Sequence, residues 1–346
     1  MAATIADIAA RVGKTCQLVS AVLHGGRSSS AASEETRRRI FRAAEELGYL
    51  PNAAARAVST GRFGAVGLLL STASWKSSLP GPTLEGIREA LAGRDMHLSL
   101  GWFPDEKLTA AGYVPKLLRE LMADGLLIKY DSFIPPRMIA LIRRHRVPAI
   151  WMNSKQAYDC VYPDDLAGAR MATERLLGLG HRRIAYADLN PRPARSHYSS
   201  DERARGYAEA MKNAGLEPLF LAGGAPVPMD ARVALFKGIL SRAERPTAIV
   251  TYGSTEAMPA LYAAAAAGLR VPEELSVVTF AGAAQDSMGV RLAAALIPEE
   301  EMGRLAVEML MEKLDRPSRR LGPRALAFGF DEGQTCAPPC GGSARR

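Results

Sequence analysis

Thr4-Ile5-Ala6-Asp7-Ile8-Ala9, Val19-Ser20-Ala21-Val22-Leu23, Glu46-Leu47-Gly48-Tyr49 and Pro51-Asn52-Ala53-Ala54-Ala55-Arg56-Ala57-Val58 set the reading of this chain. In order they read as a helix-turn-helix, a third helix, and a short alanine-rich helix ending in an apolar wedge. Thr4 is placed to cap the first helix, with Asp7 three residues on to complete a capping box. Ile5, Ile8, Ala9 and Val12 recur at helical spacing, and Gly13 supplies the break. Thr15 is placed to cap a second helix from Cys16 to about His24. Val19, Val22 and Leu23 of that helix point inward, which leaves Cys16, Gln17, Ser20 and Ala21 outward. A third helix is expected from near Ser33 to Gly48, with Ile40, Phe41, Ala44 and Leu47 as its buried stripe.

A three-helix bundle with meaningless surface residues is the bland alternative. The short turn around Gly13 argues against it, because such a turn sets two helices at the steep angle that pushes the second into a major groove. On that reading Gln17 is the base reader, since its amide matches an adenine edge. Lys14, Thr15, Ser20 and His24 fall where phosphate contacts position the helix. His24 has no neighbouring group that would make it a metal ligand or a catalyst. Charge agrees: residues 1–62 hold nine Lys/Arg and five Asp/Glu, a net of +4, half of the chain's formal +8. A polyanion partner for this end follows.

A chain of 346 residues predicts one small and one large module. No basic segment followed by an apolar run opens the sequence, and no apolar stretch is long enough to span a bilayer, so a cytoplasmic protein is expected. The four cysteines (Cys16, Cys160, Cys336 and Cys340) are scattered and read as thiols. Cys336 and Cys340 do not have zinc-ligand spacing, and neither a metal nor a cofactor is expected.

From Gly64 on, short apolar runs alternate with helical stretches. Residues 65–70, 96–101, 125–129, 149–153, 183–187, 248–252 and 275–280 read as strands. Residues 83–92, 114–123, 136–145, 167–179, 203–214, 229–243 and 257–268 read as helices. This βαβ rhythm, occurring twice, predicts two lobes built on parallel sheets with helices on both faces, and a ligand cleft at the carboxyl ends of the strands. No Gly-x-Gly-x-x-Gly follows any of these strands, which makes a Rossmann nucleotide site a poor alternative. Nor does a nucleophile–base set stand out, so no enzyme is expected. The fold class is therefore an all-α helix-turn-helix headpiece plus an α/β two-lobed domain.

The run Thr4–Val58, with Thr-Ile-x-Asp-Ile-Ala, Val-Ser-x-Val-Leu, Leu-Gly-Tyr-x-Pro-Asn and Ala-Arg-x-Val, resembles the lac-repressor (LacI/GalR) family of bacterial transcription regulators. The resemblance continues through Asp164-Asp165-x-x-Gly168-Ala169, Gly180-His181-Arg182-Arg183-Ile184, Arg203-x-x-Gly206-Tyr207, Pro246-Thr247-Ala248-Ile249, Val271–Val278 and Glu301-Met302-Gly303-Arg304. It implies a hinge that folds on operator DNA and wedges a side chain into the minor groove, a periplasmic-binding-protein-like effector domain, and a homodimer reading a near-palindrome. The implied boundaries are 1–49 for the headpiece, 50–62 for the hinge helix, 63–335 for the effector domain and 336–346 for a disordered tail. The implied DNA-binding set is Thr4, Lys14, Thr15, Cys16, Gln17, Ser20, Ala21, His24, Asn52, Ala55, Arg56 and Val58. Two departures stand out: Val58 replaces the usual wedge leucine and Ala21 the usual arginine, so operator preference does not carry over.

The resemblance places effector contacts at Ser71, Trp75, Lys129, Asn153, Arg203, Gly253, Ser254 and Ala281, with Trp75 and Trp151 either platforms for a sugar ring or lobe core. Arg203 matches the family's ligand-gripping arginine. Gly253-Ser254, Ala281, Asn153 and Lys129 replace usual polar or acidic residues, so hydroxyl acceptors are lost and a cation gained. Either the effector is an anionic or less hydroxylated sugar derivative, or the cleft no longer takes one. The first is preferred, because a buried Arg and Lys without carboxylate partners need an anion. A weakly specific architectural DNA binder and a cytoplasmic solute-binding protein are the rival functions. Asp164 and Asp165 are best explained by a helix start, and His181 reads as structural.

Overall fold

The computed structural model describes residues 3–24, 32–50, 62–94, 96–190, 197–221, 227–284, 286–287 and 289–340. The chain divides into two units, Met1–Phe63 and Gly64–Arg346. The proposed hinge helix at 50–62 lies almost wholly outside the described residues, and with it Asn52, Ala55, Arg56 and Val58.

In the first unit, α1 (Ile5–Val12), α2 (Cys16–His24) and α3 (Glu34–Glu46) enclose Ile8, Val12, Val19, Val22, Ile40, Ala43 and Ala44. The capping box forms as its spacing requires: Thr4 N–H donates to Asp7 Oδ2 (2.8 Å), and Asp7 N–H donates to Thr4 Oγ1 (3.3 Å). Gly13 is left-handed at φ 68°, a conformation that costs glycine nothing. One expectation fails. Phe41 is 53 % exposed and Ala43 is buried in its place. The stripe runs 40, 43, 44, 47, the spacing that keeps side chains on one helical face, whereas position 41 is rotated off it.

The second unit is two six-stranded sheets. Lobe 1 has the order β13-β5-β4-β3-β1-β2, from β1 (Ala65–Ser71), β2 (His97–Phe103), β3 (Gly125–Lys129), β4 (Ala149–Met152), β5 (Cys160–Pro163) and β13 (Arg324–Leu326). Lobe 2 has the order β14-β12-β9-β8-β6-β7, from β6 (Ile184–Ala187), β7 (Leu219–Leu221), β8 (Ala248–Thr251), β9 (Ser276–Ala281), β12 (Ala293–Leu296) and β14 (Gly329–Asp331). Every pairing in the two sheets is parallel except β12 with β14. β1, β3, β4, β6, β8 and β9 are buried along their whole length, the reason they read as continuous apolar runs. The remaining pair, β10 (Asp286–Ser287) and β11 (Val290–Arg291), makes a small separate hairpin.

The chain passes between the sheets three times: after β5, after β12 and between β13 and β14. The helices that cover the sheets include α4 (Gly81–Ala92), α5 (Asp105–Leu108), α6 (Leu117–Glu120), α7 (Pro136–Arg144), α8 (Asp165–Gly178), α9 (Tyr198–Asn213), α10 (Met229–Leu240), α11 (Ser254–Ala266) and α12 (Glu299–Asp315). The helix expected at 114–123 is broken into a 3₁₀ turn at Val114–Lys116 and the single turn of α6. The helix α12 and the strands β5, β7, β12, β13 and β14 were not expected from sequence pattern.

The tail expected to be disordered is held in place over its first part. Residues 336–340 are not loose: Ser276 Oγ donates to Ala337 O (3.0 Å), and Cys340 N–H donates to Glu273 O (3.0 Å). His181 is fully buried between Thr247 Oγ1 and Ala337 O, each at 2.9 Å. Short polar segments are ordered when their backbone groups find partners, and these do.

Both lobes rest on glycine crossings. A Cβ on Gly86 would lie 1.9 Å from Glu300 O, and one on Gly303 would lie 2.2 Å from Thr83 O, so α4 and α12 touch backbone to backbone. Gly206 does the same for α9 against Leu166 O of α8 at 2.3 Å. A Gly303→Ala substitution gains about 1 kcal/mol of helix propensity, but overpacking typically costs 1–3 kcal/mol. With backbone rather than a movable side chain in the way, the cost wins. The urea midpoint of Gly303→Ala should fall; a rise would show that the helices are not in this contact.

Candidate functional site

The headpiece presents one polar face. Lys14, Thr15, Cys16 and Gln17 are exposed, and Ser20 and Ala21 are half-buried along the same helix. Thr15 Oγ1 accepts from Leu18 N–H (3.2 Å), capping α2. The hydroxyl of Thr4 is engaged in its cap. The side chain of His24 lies outside the described residues. Inside the unit, Arg39 Nη2 reaches Val12 O (3.3 Å) and Arg11 pairs with Glu46 (3.0 Å), so α3 braces the turn from behind. Gln17 therefore sits exposed at the start of a helix whose opposite face is packed, its amide without a partner among the described residues.

In the second unit a cavity of about 320 Å³ opens between the lobes at the carboxyl ends of the strands. Of the residues expected there, Lys129, Asn153 and Arg203 line it. The other five are elsewhere. Ser71 is buried with its hydroxyl accepting from Ala73 N–H, Trp75 is 63 % exposed against Phe133, and Gly253 and Ser254 begin α11. Tyr252 and Phe280 line the cavity where Gly253 and Ala281 had been expected. Trp151 is lobe 1 core.

The premise of unpartnered cations is wrong. Lys129, 1 % exposed, pairs with Asp131, and Arg203 Nε donates to Asp165 Oδ1 at 2.7 Å. Asp131 also accepts from Asn153 Nδ2 (2.8 Å) and from Ser78 N–H (2.9 Å) and Oγ–H (2.8 Å). Burial pushes the Asp131 carboxyl up, but Lys129, His197 and Asn153 together outweigh it and hold the group ionised below its usual range. Arg203 Nη1 donates to Tyr252 O (3.0 Å), and its guanidinium lies 4.2 Å from the Phe280 ring centre and 4.7 Å from that of Tyr252. Its Nη2 has no partner among the described residues.

Three further lining groups went unnoticed in the sequence. His197 stands 2.8 Å from Asn153 O across the cleft and 2.7 Å from Ser199 Oγ. Ser199 is in turn 2.8 Å from Tyr252 OH. Glu299, at the start of α12, puts a half-buried carboxylate into the cavity without a hydrogen-bond partner among the described residues, and burial raises its pKa. Asp131 lies two residues past Lys129, and Ser199 lies one helical turn before Arg203, so both were within reach of a spacing argument. Glu299 depends on a helix that the pattern did not reveal.

A helix-turn-helix headpiece joined to a two-lobed domain with its cleft at the strand ends is the architecture of a ligand-responsive DNA-binding protein. Residues 4–52 match the bacterial regulatory proteins of the lacI family, and residues 173–336 match a periplasmic binding protein-like domain. The chain thus carries a lacI-family DNA-binding domain followed by a periplasmic binding protein-like domain. The HTH-type transcriptional repressor PurR of Edwardsiella ictaluri is 27% identical over 321 residues, 90% of each chain. PurR of Salmonella paratyphi B is 29% identical over 322 residues, again 90% of each. The lac repressor dimer bound to operator and the anti-inducer ONPF superposes with a TM-score of 0.77 at 21% identity, covering 97% of this chain and 100% of that one. A complex of the transcriptional regulator CelR with cellobiose gives 0.61 at 25% identity, covering 96% and 99%.

His181 and His197 give the molecule a pH signature. Burial lowers both pKa values below the ordinary 6.5. As pH falls through 6.5, the unfolded imidazoles take up protons while the folded ones stay neutral, so unfolding is favoured. Stability present above pH 6.5 should therefore be lost progressively on acidification toward the folded values. Urea unfolding of wild type and of His181→Gln across this window checks it: the variant should have a shallower dependence, and an unchanged slope would contradict the assignment.

Proposed function

We propose that the protein is a DNA-binding transcription regulator of the repressor type, working as a homodimer on a near-palindromic operator and controlled by a small neutral, hydroxyl-rich effector. The family match supports the regulator. The single observation that carries the DNA reading is the exposed Gln17 at the start of a helix locked from behind and entered through the Gly13 turn. A regulator rather than an enzyme is the reading, acting in the cytoplasm where its operator is. Lys14, Thr15 and Ser20 hold phosphates in this reading, and the segment 50–62 supplies the hinge, with Asn52, Ala55 and Arg56 as further contacts and Val58 as its wedge.

The effector reading follows from charge balance. The cleft's two cations are each committed to a carboxylate, so they offer little net attraction to an anion. Asp131, Glu299, Asn153, Ser78 and Ser199 provide acceptors and donors suited to hydroxyl groups, and Phe280 and Tyr252 provide apolar surface. The relative CelR holds cellobiose, a neutral sugar. These observations favour a neutral effector over an anionic one.

Selection from random duplexes with the purified chain should return one near-palindromic site. Gln17→Ala should cost about 1–3 kcal/mol of discrimination at one base of each half-site, read by competition binding, and leave the other positions alone. Absence of any sequence preference at low ionic strength would end the regulator reading. For the cleft, a thermal-shift panel should find stabilisation by neutral sugars and none by sugar acids, and Asp131→Asn should weaken that stabilisation. Stabilisation by the acids alone would overturn the neutral-effector reading and leave the DNA reading standing.

A further inference from the structure

At the opposite end of the lobe 1 sheet from the cleft, beside the amino ends of β4 and β5, a second cavity of about 350 Å³ is lined by Arg143, Arg146 and Arg320. They arrive from two separate places. Arg143 is in the last turn of α7 and Arg146 follows that helix, while Arg320 follows α12. The guanidinium carbons of Arg143 and Arg320 each lie 4.7 Å from the centre of the Tyr158 ring. The ring holds the two forks in place.

The local charge is unbalanced. No carboxylate among the described residues lies within ion-pair distance of these three side chains. The one carboxylate in the lining, Asp159, is spent: it accepts from Lys313 Nζ (2.8 Å) and from Leu321 N–H (2.9 Å). The helix dipole accounts for Arg143 at the end of α7. It does not account for Arg320, brought from another segment onto the same ring. Like charges gathered at one point raise each other's energy unless a counter-anion completes the set.

We propose that this cavity is a second ligand site, which takes a small organic phosphate with its phosphoryl group held by Arg143, Arg146 and Arg320. Guanidinium forks match the oxygens of a phosphoryl group, and a phosphate monoester carries close to two negative charges, which three cations lining one cavity balance better than they would a single carboxylate. Ile142, Val147 and Trp151 form an apolar wall for the organic part. DNA is the poorer fit: its phosphodiesters carry one charge each and are strung along a strand, whereas these exposed cations line one concavity.

Titration calorimetry on the full chain at fixed ionic strength tests it, with glucose 6-phosphate, inorganic phosphate and glucose as probes. Both phosphates should bind, and their affinity should fall by about tenfold or more in Arg143→Gln/Arg320→Gln, the loss of two charge-assisted contacts. Arg320→Lys keeps the charge without the fork and should fall in between. Asp131→Asn, at the other end of the sheet, should leave inorganic phosphate binding as in wild type. Circular dichroism checks that the double variant is folded. The proposal is overturned if neither phosphate binds in the millimolar range, if the double variant binds as wild type does, or if Asp131→Asn abolishes binding. A random-sequence duplex supplies the remaining arm. If the slope of log affinity against log salt drops by about two in the double variant, the arginines serve the DNA backbone and the small-phosphate site is wrong.

Discussion

Asp165 and Arg203 form the interaction on which the cleft depends. Asp165 is the first residue of α8, immediately past the first crossing between lobes, and Arg203 rises from α9. Both are nearly inaccessible, and the pair closes at 2.7 Å. Burying two ions is expensive, and their attraction repays that cost only when further hydrogen bonds complete the set. Here the carbonyl of Tyr252 and the faces of two aromatic rings complete the arginine, while Asp165 Oδ2 is buried with no partner. Such a pair is weak evidence for stability and better evidence for placement. It fixes the guanidinium so that one nitrogen, Nη2, is spare at the wall of the cavity, oriented before any ligand arrives.

The Gly206 contact explains why that placement is rigid. Because α8 and α9 meet with backbone against backbone, the two ends of the ion pair belong to one stiff unit. Lobe 2 can then move against lobe 1 without disturbing the pair. What spans the cleft is slighter: His197 on the carbonyl and Tyr198 on the side chain of Asn153, and Lys155 with Glu202 and the Tyr198 ring. A ligand bridging Asp131 on one lobe and Arg203 on the other competes on the scale of these few polar contacts. It changes the lobe equilibrium only by its difference in affinity for the two arrangements. That is enough for a switch, since a few kcal/mol shifts a two-state population nearly completely.

The headpiece was legible because its determinants are local. A capping box, a left-handed glycine and a repeat of three and four residues specify helices without reference to distant chain, and Phe41 misled only because residues 40 and 41 are both apolar. In the lobes, β1, β3, β4, β6, β8 and β9 were legible as fully buried runs. The cleft was not, since it is assembled from strand ends and helix starts on both sides of three crossings. The resemblance pointed to Gly253 and Ala281, whereas their neighbours Tyr252 and Phe280 line the cavity. The anion argument failed for a related reason: composition counts cations, but only tertiary structure shows that Asp131 and Asp165 neutralise them.

The helix α12, which sequence pattern did not reveal, links both ends of lobe 1. The helix α12 begins at Glu299 in the cleft and ends at Asp315, just before the segment that carries Arg320. Its seventeen residues span roughly 25 Å at the α-helical rise. It is pinned along its side by the Gly86–Gly303 crossing and at its foot by Lys313 on Asp159. A helix held at both points moves with its lobe as a body rather than bending. Coupling between an occupant of the arginine cavity and an occupant of the cleft therefore cannot travel as a distortion along α12. It exists only if the closed and open lobe arrangements present the arginines differently, and by linkage it is then equal in both directions.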